Sequence, residues 1–344
     1  MVPTTIAAVQ DGAGTPLVTV VLTVFKRTRY LEEAVSSVLR QTMTSLELIV
    51  TDDADTEETR TICRKFRADV RVKYRTNGST PSAPLNIAAA IREARGKYLT
   101  ILNDDDLLEL DMLERLVAPL EDDPSLVLAF CNYKVIDQDG RDLSELTSEH
   151  MRMRRRNNLP AGIVDRPFDF TLRHGLMVVM GCVFRRQACN ADWLVPEVAG
   201  AYDYWLAVNL ANTGGGFYFI PEMLMRYRAH QDSESAKIVP EKHGCEVFIY
   251  ESLSKLTLSN QARNFISNEL ALYLYRLGRD RLLHGEGASA ARQAIAKSLG
   301  IKLRAFGVAA WAISFLPARG RSVAIRFWLR GRQKHANGAK VVRP

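Results

Sequence analysis

Residues 97–113 read KYLTILNDDDLLELDML, and the reading of this stretch decides the fold. Tyr98, Leu99, Thr100, Ile101 and Leu102 make an apolar run of strand length that includes β-favouring residues. It runs through Asn103 into three consecutive carboxylates, Asp104, Asp105 and Asp106. Like charges this close repel, so the cluster is unfavourable unless a cation relieves it. Oxygen-rich clusters suit Mg, Mn or Ca, and the C-terminal end of a strand is where open α/β sheets bind ligands. The plainer alternative is a solvated turn with an Asp N-cap for a helix over 107–119.

The elements on the N-terminal side favour an α/β sheet. LVTVVLTVF (17–25) reads as a buried strand and LELIVT (46–51) as a second, ending in Asp52 and Asp53. A short third strand runs from Val70 to Tyr74. Helical spacing predicts helices over 29–41, 56–67 and 84–95, the last stopped by Gly96. The alternation predicts a parallel sheet with helices on both faces and right-handed crossovers. Two acidic strand ends then share one edge. Asp52 and Asp53 there suit a nucleobase imide or ribose hydroxyls, or else cap the helix that starts near Thr56. No GxGxxG follows the first strand and no GxxxxGK[ST] occurs, which argues against a dinucleotide Rossmann domain and a P-loop ATPase.

Towards the C-terminus, the pattern predicts a strand over 126–136, an irregular stretch over 138–165, a strand from Gly175 to Phe184, a helix over 202–212, and strands 217–221 and 223–228 around a turn. The basic run Arg152, Arg154, Arg155, Arg156 reads as a solvated loop, with a minority reading over an anionic substrate. A polar segment near 231–242 leads into a helical C-terminal region.

The 344 residues suffice for one large domain with an appendage, or for two domains. Five cysteines without CxxC or zinc spacing fit reduced thiols in a cytoplasmic chain. MVPTTIAAVQDGAG lacks the pattern of a signal peptide, and no apolar stretch approaches the ~20 residues of a spanning helix. The net charge is +7, and residues 287–344 hold twelve Lys or Arg with no Asp or Glu, leaving about −5 on the rest. The tail combines a twelve-residue apolar segment, AFGVAAWAISFL (305–316), with Arg326 and Arg330 beside a stripe of Ile325, Trp328 and Leu329. That suits an anionic membrane surface, with packing onto the catalytic domain or an oligomer contact as the alternatives. Nucleic acid is not the expected partner.

The first block, VTVVLTVFKRTRYLEEAVSSVLRQTMTSLELIVTDDADTEETR, carries Thr23, Phe25, Tyr30, Leu31, Ser37, Val38, Gln41, Thr42, Asp52 and Asp53. The second, NGSTPSAPLNIAAAIREARGKYLTILNDDDLL, carries Asn77, Gly78, Ala83, Asn86, Ala90, Ala94, Gly96 and Asp104 to Asp106. On these residues the chain resembles the family 2 glycosyltransferases of GT-A fold, over roughly 17–232. The resemblance implies an α/β fold, a Rossmann-like and mostly parallel sheet flanked by helices. It implies a flexible N-terminus over 1–15, a catalytic domain over 16–235 and a helical, basic extension over 243–344.

By the same resemblance the activity is inverting hexosyl transfer from a UDP- or dTDP-sugar to a hydroxyl of a glycan or lipid-linked acceptor, in polysaccharide or glycoconjugate synthesis. Thr23, Phe25, Asp53 and Asn86 would hold the donor, Asp104 would contact ribose, and Asp105 would bind the Mn or Mg that bridges the pyrophosphate. RYRAHQDSES (226–235) resembles the family's closing segment and would put His230 near the diphosphate or metal. GAYDYWLAVNLA (200–211) resembles its acidic block before a Trp-Leu helix, making Asp203 the candidate base with Glu197 in reserve, and Trp205 part of the acceptor side. VVMGCVFRR (178–186) resembles the acceptor-side strand, with Met180 and Gly181 as pocket wall. Three departures stand out. Asn103 replaces the first Asp of the DxD motif, Leu85 replaces a common Arg, and Gly200 and Ala201 replace an acidic residue or pair. The rivals are a nucleotidyltransferase and a non-catalytic nucleotide-sugar-binding scaffold.

Overall fold

The computed structural model describes residues 14–77, 81–230, 242–284, 287–302 and 305–316. Gly78, Arg326, Arg330, Trp328 and the segment after His230 lie outside the described residues. The chain divides into two compact units, 1–236 and 237–344.

In the first unit, strand β1 (Val18–Val24) lies at the centre of three parallel pairings. On one side it pairs with β2 (Leu46–Asp52), which pairs with β3 (Val72–Thr76); on the other it pairs with β4 (Tyr98–Asn103). The residues of β1, β2 and β4 are almost all buried, as a sheet covered on both faces requires. Helix α1 (Leu31–Leu39) follows β1 and buries Leu31, Ala34, Val35 and Val38 as one stripe. Helices α2 (Glu57–Arg64) and α3 (Ala83–Glu93) make the next two crossovers. Because β1 leads to β2 on one side and β4 lies on the other, the chain reverses direction across the sheet at β1. The crevice beyond the C-terminal ends of β1 and β4 is where such a sheet binds ligands.

The sheet continues through β8 (Cys182–Arg185), β6 (Leu126–Ile136), β9 (Gly216–Arg228) and the two-residue β5 (Leu107–Leu108), with β7 (Gly162–Ile163) on β9. β8 is antiparallel to β4 and β6, whereas β6 and β9 are parallel. Helices α4 (Met112–Asp122), α5 (Ser144–Met153), α6 (Pro167–His174) and α7 (Tyr202–Asn212) complete the unit.

Four expectations change here. The helix predicted over 107–119 begins at Met112, because Leu107 and Leu108 pair with Arg226 and Met225 of β9. The stretch over 138–165 contains α5, whose Thr147 hydroxyl accepts a hydrogen bond from the Val135 N–H. The strand predicted from Gly175 starts only at Cys182, after Gly181 at φ 74°. A Cβ on Gly181 would lie 2.7 Å from the Cys131 sulfur, so both conformation and contact exclude a larger residue. The two strands expected around a turn at 222 form one strand, β9, with a register shift against β6 where Pro221 and Glu222 are exposed. Proline cannot donate to the ladder and sits at the irregularity.

Of the basic run, Arg152 and Arg155 are exposed as expected, whereas Arg154 and Arg156 turn inward. Arg156 is buried, its guanidinium over the rings of Phe130 and Tyr133 at 5.3 and 5.2 Å, and it donates to the Cys131 carbonyl. Arg154 donates to the Tyr133 hydroxyl at 3.1 Å and to the Gly175 carbonyl. Aromatic faces and carbonyls accept these cations where no carboxylate does.

The second unit is helical, with α8 (Lys242–Leu253), α9 (Asn260–His284), α10 (Ala288–Ile301) and α11 (Ala305–Ile313). Tyr275, Leu282, Ala291, Ile295 and Ala310 form one buried cluster. Gly278 lets α9 lie against α10, since a Cβ there would meet Ile295 Cγ1 at 2.5 Å and the Ala291 carbonyl at 2.8 Å.

Candidate active site

The acidic cluster lies at the crevice between β1 and β4. Asp104, Asp105 and Asp106 follow β4 directly and all three are buried. Arg27, in the turn after β1, straddles the first two. Its guanidinium reaches Asp104 Oδ1 at 2.6 Å and Asp105 Oδ2 at 3.0 Å. From the end of β9, His230 Nε2 meets the same Asp105 oxygen at 3.0 Å, and its ring lies 5.4 Å from that of Tyr30. Asp106 faces away from this pair, its Oδ1 accepting the Arg228 N–H at 2.9 Å. Burial pushes the Asp104 carboxyl up to about 7, against the pull of Arg27. Burial and the charge of Asp105 raise Asp106 well above the usual carboxylate range.

Among the described residues, no group of three or more His, Cys, Asp or Glu side chains is arranged to hold a metal ion. A diphosphate-bridging cation needs less, because Mg²⁺ is commonly held by one or two carboxylates together with substrate phosphates and water. Asp104 Oδ2 is buried without a hydrogen-bond partner, and Asp105 Oδ2 is shared between Arg27 and His230. This hard-oxygen pair with one imidazole fits such an open site.

Thr23 and Asn103 occupy matching register positions at the ends of β1 and β4, and the Thr23 hydroxyl lies 3.3 Å from Asn103 Oδ1. Phe25 is 40% exposed, with Lys26 Nζ 5.1 Å from its ring centroid. Asp53 lies at the same edge and accepts from the Asn77 amide at 2.7 Å and the Ser82 N–H at 3.0 Å. Asp52 is turned inward, with Oδ1 accepting the Ala54 N–H and Oδ2 the Thr56 N–H and the Tyr74 hydroxyl. These bonds hold the turn that leads to α2, whose N-cap is Thr56. Asn86 is also engaged, donating to the Thr51 carbonyl and accepting from the Arg75 guanidinium at 2.9 Å. The side chains of Asp52 and Asn86 are thus engaged within the protein.

The start of α7 reaches the same crevice. The Tyr202 hydroxyl donates to Asn103 Oδ1 at 3.4 Å, and Asp203 is the next residue. Burial pushes the Asp203 carboxyl up to about 6, opposed by the Tyr204 N–H that it accepts at 2.7 Å and by the charge of Arg154. The Asp203 carbonyl accepts the Val178 N–H, tying the helix to the stretch that contains buried Met180 and Gly181. Trp205 donates from its indole to the Trp193 carbonyl at 2.8 Å. Glu197 is exposed in a short 3-10 turn upstream.

Two arginines of this centre were given no role by the motif reading. Arg27 lies two residues beyond Phe25, inside the first quoted block, and a cation so close to a strand end facing three aspartates was the available signal. Arg228 is buried and extended over the Tyr30 ring at 4.2 Å. It donates to the Asp105 carbonyl at 3.0 Å and to Glu33 at 2.8 Å. It stands two residues before His230 in the RYRAHQDSES segment that resembles the family's closing block, where it carried no role of its own.

Residues 19–177 match the profile described as glycosyl transferase family 2. Among curated relatives, chondroitin synthase of Escherichia coli is 25% identical over 258 residues, 74% of this chain and 35% of that protein. Among solved structures, S. aureus TarS 1-349 aligns with a TM-score of 0.61 at 15% identity, over 91% of each chain. The mannosyltransferase PcManGT from Pyrobaculum calidifontis, solved with GDP-Man and Mn²⁺, aligns with a TM-score of 0.52 at 17% identity, over 94% of this chain and 88% of that one. The chain carries a family 2 glycosyltransferase segment over residues 19–177, and its first unit has the GT-A fold.

Proposed function

We propose that this protein transfers a hexosyl group, with inversion, from a nucleoside-diphosphate sugar to a hydroxyl of a glycan or lipid-linked acceptor, in polysaccharide or glycoconjugate synthesis. The observation that carries the reading is the juxtaposition of two carboxylate sites. Asn103 immediately precedes the Asp104–Asp105 pair that meets His230, and it accepts the Tyr202 hydroxyl from the start of α7, one residue before Asp203. A donor cleft and a base are needed side by side.

Thr23, Phe25 and Asp53 line the edge that would receive the nucleoside, with UDP- or dTDP-sugars as the expected donors and GDP-sugars as the comparison that PcManGT recommends. Asp104, Asp105 and His230 would hold Mn²⁺ or Mg²⁺, which when bound neutralises charge on the departing diphosphate. Asp203 takes the proton from the acceptor hydroxyl at Oδ2 or Oδ1. Its raised affinity for a proton suits a base that works near neutrality. Met180 and Gly181 form the wall behind Asp203, and Trp205 fixes the helix on which it sits.

The test is turnover with a panel of UDP-, dTDP- and GDP-sugars in Mn²⁺. Release of nucleoside diphosphate, lost in Asp105→Asn and in Asp203→Asn with the fold intact, supports the reading. Release of pyrophosphate would instead mark a nucleotidyltransferase. Binding without turnover under every acceptor would mark a scaffold, a role that the missing carboxylates at Gly200 and Ala201 favour.

The second partner in this reading is an anionic membrane surface on the cytoplasmic face. Among the described residues no helix is long and apolar enough to cross a membrane. Val308, Trp311, Phe315 and Leu316 are nonetheless exposed, by 45, 41, 60 and 42%, in a region that carries no acidic residue beyond 287. The double change Trp311→Ser and Phe315→Ser should release the protein from anionic vesicles. Unchanged binding would remove the membrane from the reading.

A further inference from the structure

We propose that Arg27 and a divalent cation compete for the Asp104–Asp105 pair, and that a nucleoside diphosphate couples the two by drawing the guanidinium onto itself. The inference rests on the donor-site reading above and adds a residue to it.

The first observation is geometric. The oxygens that Arg27 touches, Asp104 Oδ1 and Asp105 Oδ2, belong to the carboxylates that would ligate the cation. A guanidinium and a divalent ion on the same pair repel strongly at ion-pair distances in a partly buried site. The second is that Arg27 leaves the pair incompletely satisfied, because Asp104 Oδ2 stays buried without a partner. The clasp therefore neutralises the carboxylates without filling their acceptor capacity. The third is a difference in exposure. The Arg27 side chain is 27% exposed, whereas the carboxylates are 2 and 9% exposed, so the cation can swing out while the anions stay. Lys26 just before it has φ 59°, a sharp left-handed turn that folds Arg27 back over the cluster. The fourth is a vacant role. Leu85, just before Asn86, is 40% exposed and without charge, so it offers a diphosphate at this edge no cation. Arg27 emerges from the end of β1 at that edge, and guanidinium binds phosphate oxygens bidentately.

The consequence is a linkage. A metal ion alone has to displace Arg27 from two carboxylates. With a diphosphate present, Arg27 gains a new anion as it leaves. Metal and nucleotide should then each strengthen the other by the same factor.

The experiment is titration of the intact chain with Mn²⁺, by calorimetry or electron paramagnetic resonance, with and without UDP, dTDP or GDP, in wild type, Arg27→Gln and Asp105→Asn. In Arg27→Gln, Mn²⁺ alone should bind at least tenfold tighter than in wild type. The enhancement of Mn²⁺ binding by the active nucleotide should shrink by tenfold or more, and the nucleotide itself should bind more weakly. Asp105→Asn should lose Mn²⁺ binding in every arm. If Arg27→Gln fails to fold, Arg27→Lys carries the same test, since it keeps the charge but loses the fork, and a smaller shift in the same direction is expected. Unchanged or weaker binding of Mn²⁺ alone in a folded Arg27 variant would overturn the competition. Wild type that binds Mn²⁺ but none of the three nucleotides would overturn the donor-site reading and the coupling with it, while the Mn²⁺-only arm would still judge the competition.

Discussion

Replacing Asp203 with asparagine should slow the enzyme and stabilise the protein at once. The structure moves the carboxyl from its usual 3.8 to about 6 through burial. Ionising it in the folded state therefore costs about 3 kcal/mol relative to the unfolded chain. The folded state binds the proton more tightly, so stability falls as pH rises from about 4 to about 6 and the full cost persists above that. Asp203→Asn removes the cost and can keep the bond from the Tyr204 N–H. Chemical denaturation at pH 7.5 should show the variant more stable by about 2–3 kcal/mol, with the gain vanishing near pH 4. Activity moves the other way. A base with a pKa of about 6 is about nine-tenths ionised at pH 7 and about one-tenth at pH 5, so wild-type kcat/KM should fall roughly tenfold between them. A carboxylate at its ordinary value would give an almost flat profile. The variant should lose roughly 10²–10⁴-fold in kcat, and the limb near pH 6 should disappear. A variant with wild-type turnover, or one that keeps this limb, would refute the assignment. A variant less stable than wild type at neutral pH would refute the burial argument.

Other consequences concern the scaffold. Glu47 is 2% exposed; burial alone would raise its pKa, but Lys73, Arg95 and Thr19 donate to it and hold it at about 2. Its ionised form contributes about 3 kcal/mol above about pH 4.5, lost as pH falls through about 2, so Glu47→Gln should be less stable at pH 7 and approach wild type in acid denaturation. Arg228→Met should lower stability by about 2–4 kcal/mol in urea unfolding, because Glu33 and the carbonyls of Asp105, Asp137 and Gln138 lose their donor. Gly278→Val should destabilise the second unit by about 1–3 kcal/mol in calorimetry, since the carbonyl of Ala291 cannot move aside as a side chain would.

The parallel half of the sheet was legible because its signals are local. The strands at β1, β2 and β4 are mostly apolar runs of strand length, and the helices between them carry periodic stripes. The other half depends on contacts far apart in sequence. Leu107 and Leu108 look like the first turn of a helix until β9 pairs with them. Arg154 and Arg156 look like solvent-facing charges until Tyr133 and the Cys131 carbonyl come beside them. At the site, the Asp cluster, Asp203 and His230 stood out as chemistry-bearing residues, and the structure brings the Asp cluster and His230 into contact. Arg27 was hidden because one arginine in a row of charges carries no spacing signature, and Arg228 lay in a segment quoted for His230, its contact with the aspartates set by a pairing far apart in sequence.

Arg228 has a consequence for how the molecule comes into being. Its backbone N–H binds Asp106, its guanidinium reaches Glu33 and the Asp105 carbonyl, and His230 two residues later meets Asp105. The earliest partner is thus almost two hundred residues upstream, |i−j| being 195 for Glu33. On the ribosome, the nucleotide-facing half of the sheet emerges with its aspartates long before the segment that secures them. A nascent chain stalled at 177, where the family match ends, would expose Leu107 and Leu108 without their β9 partner and Asp106 without its donor. The last strand of the sheet is therefore a late clasp, and the aspartate cluster is secured only once synthesis has reached Arg228 and His230.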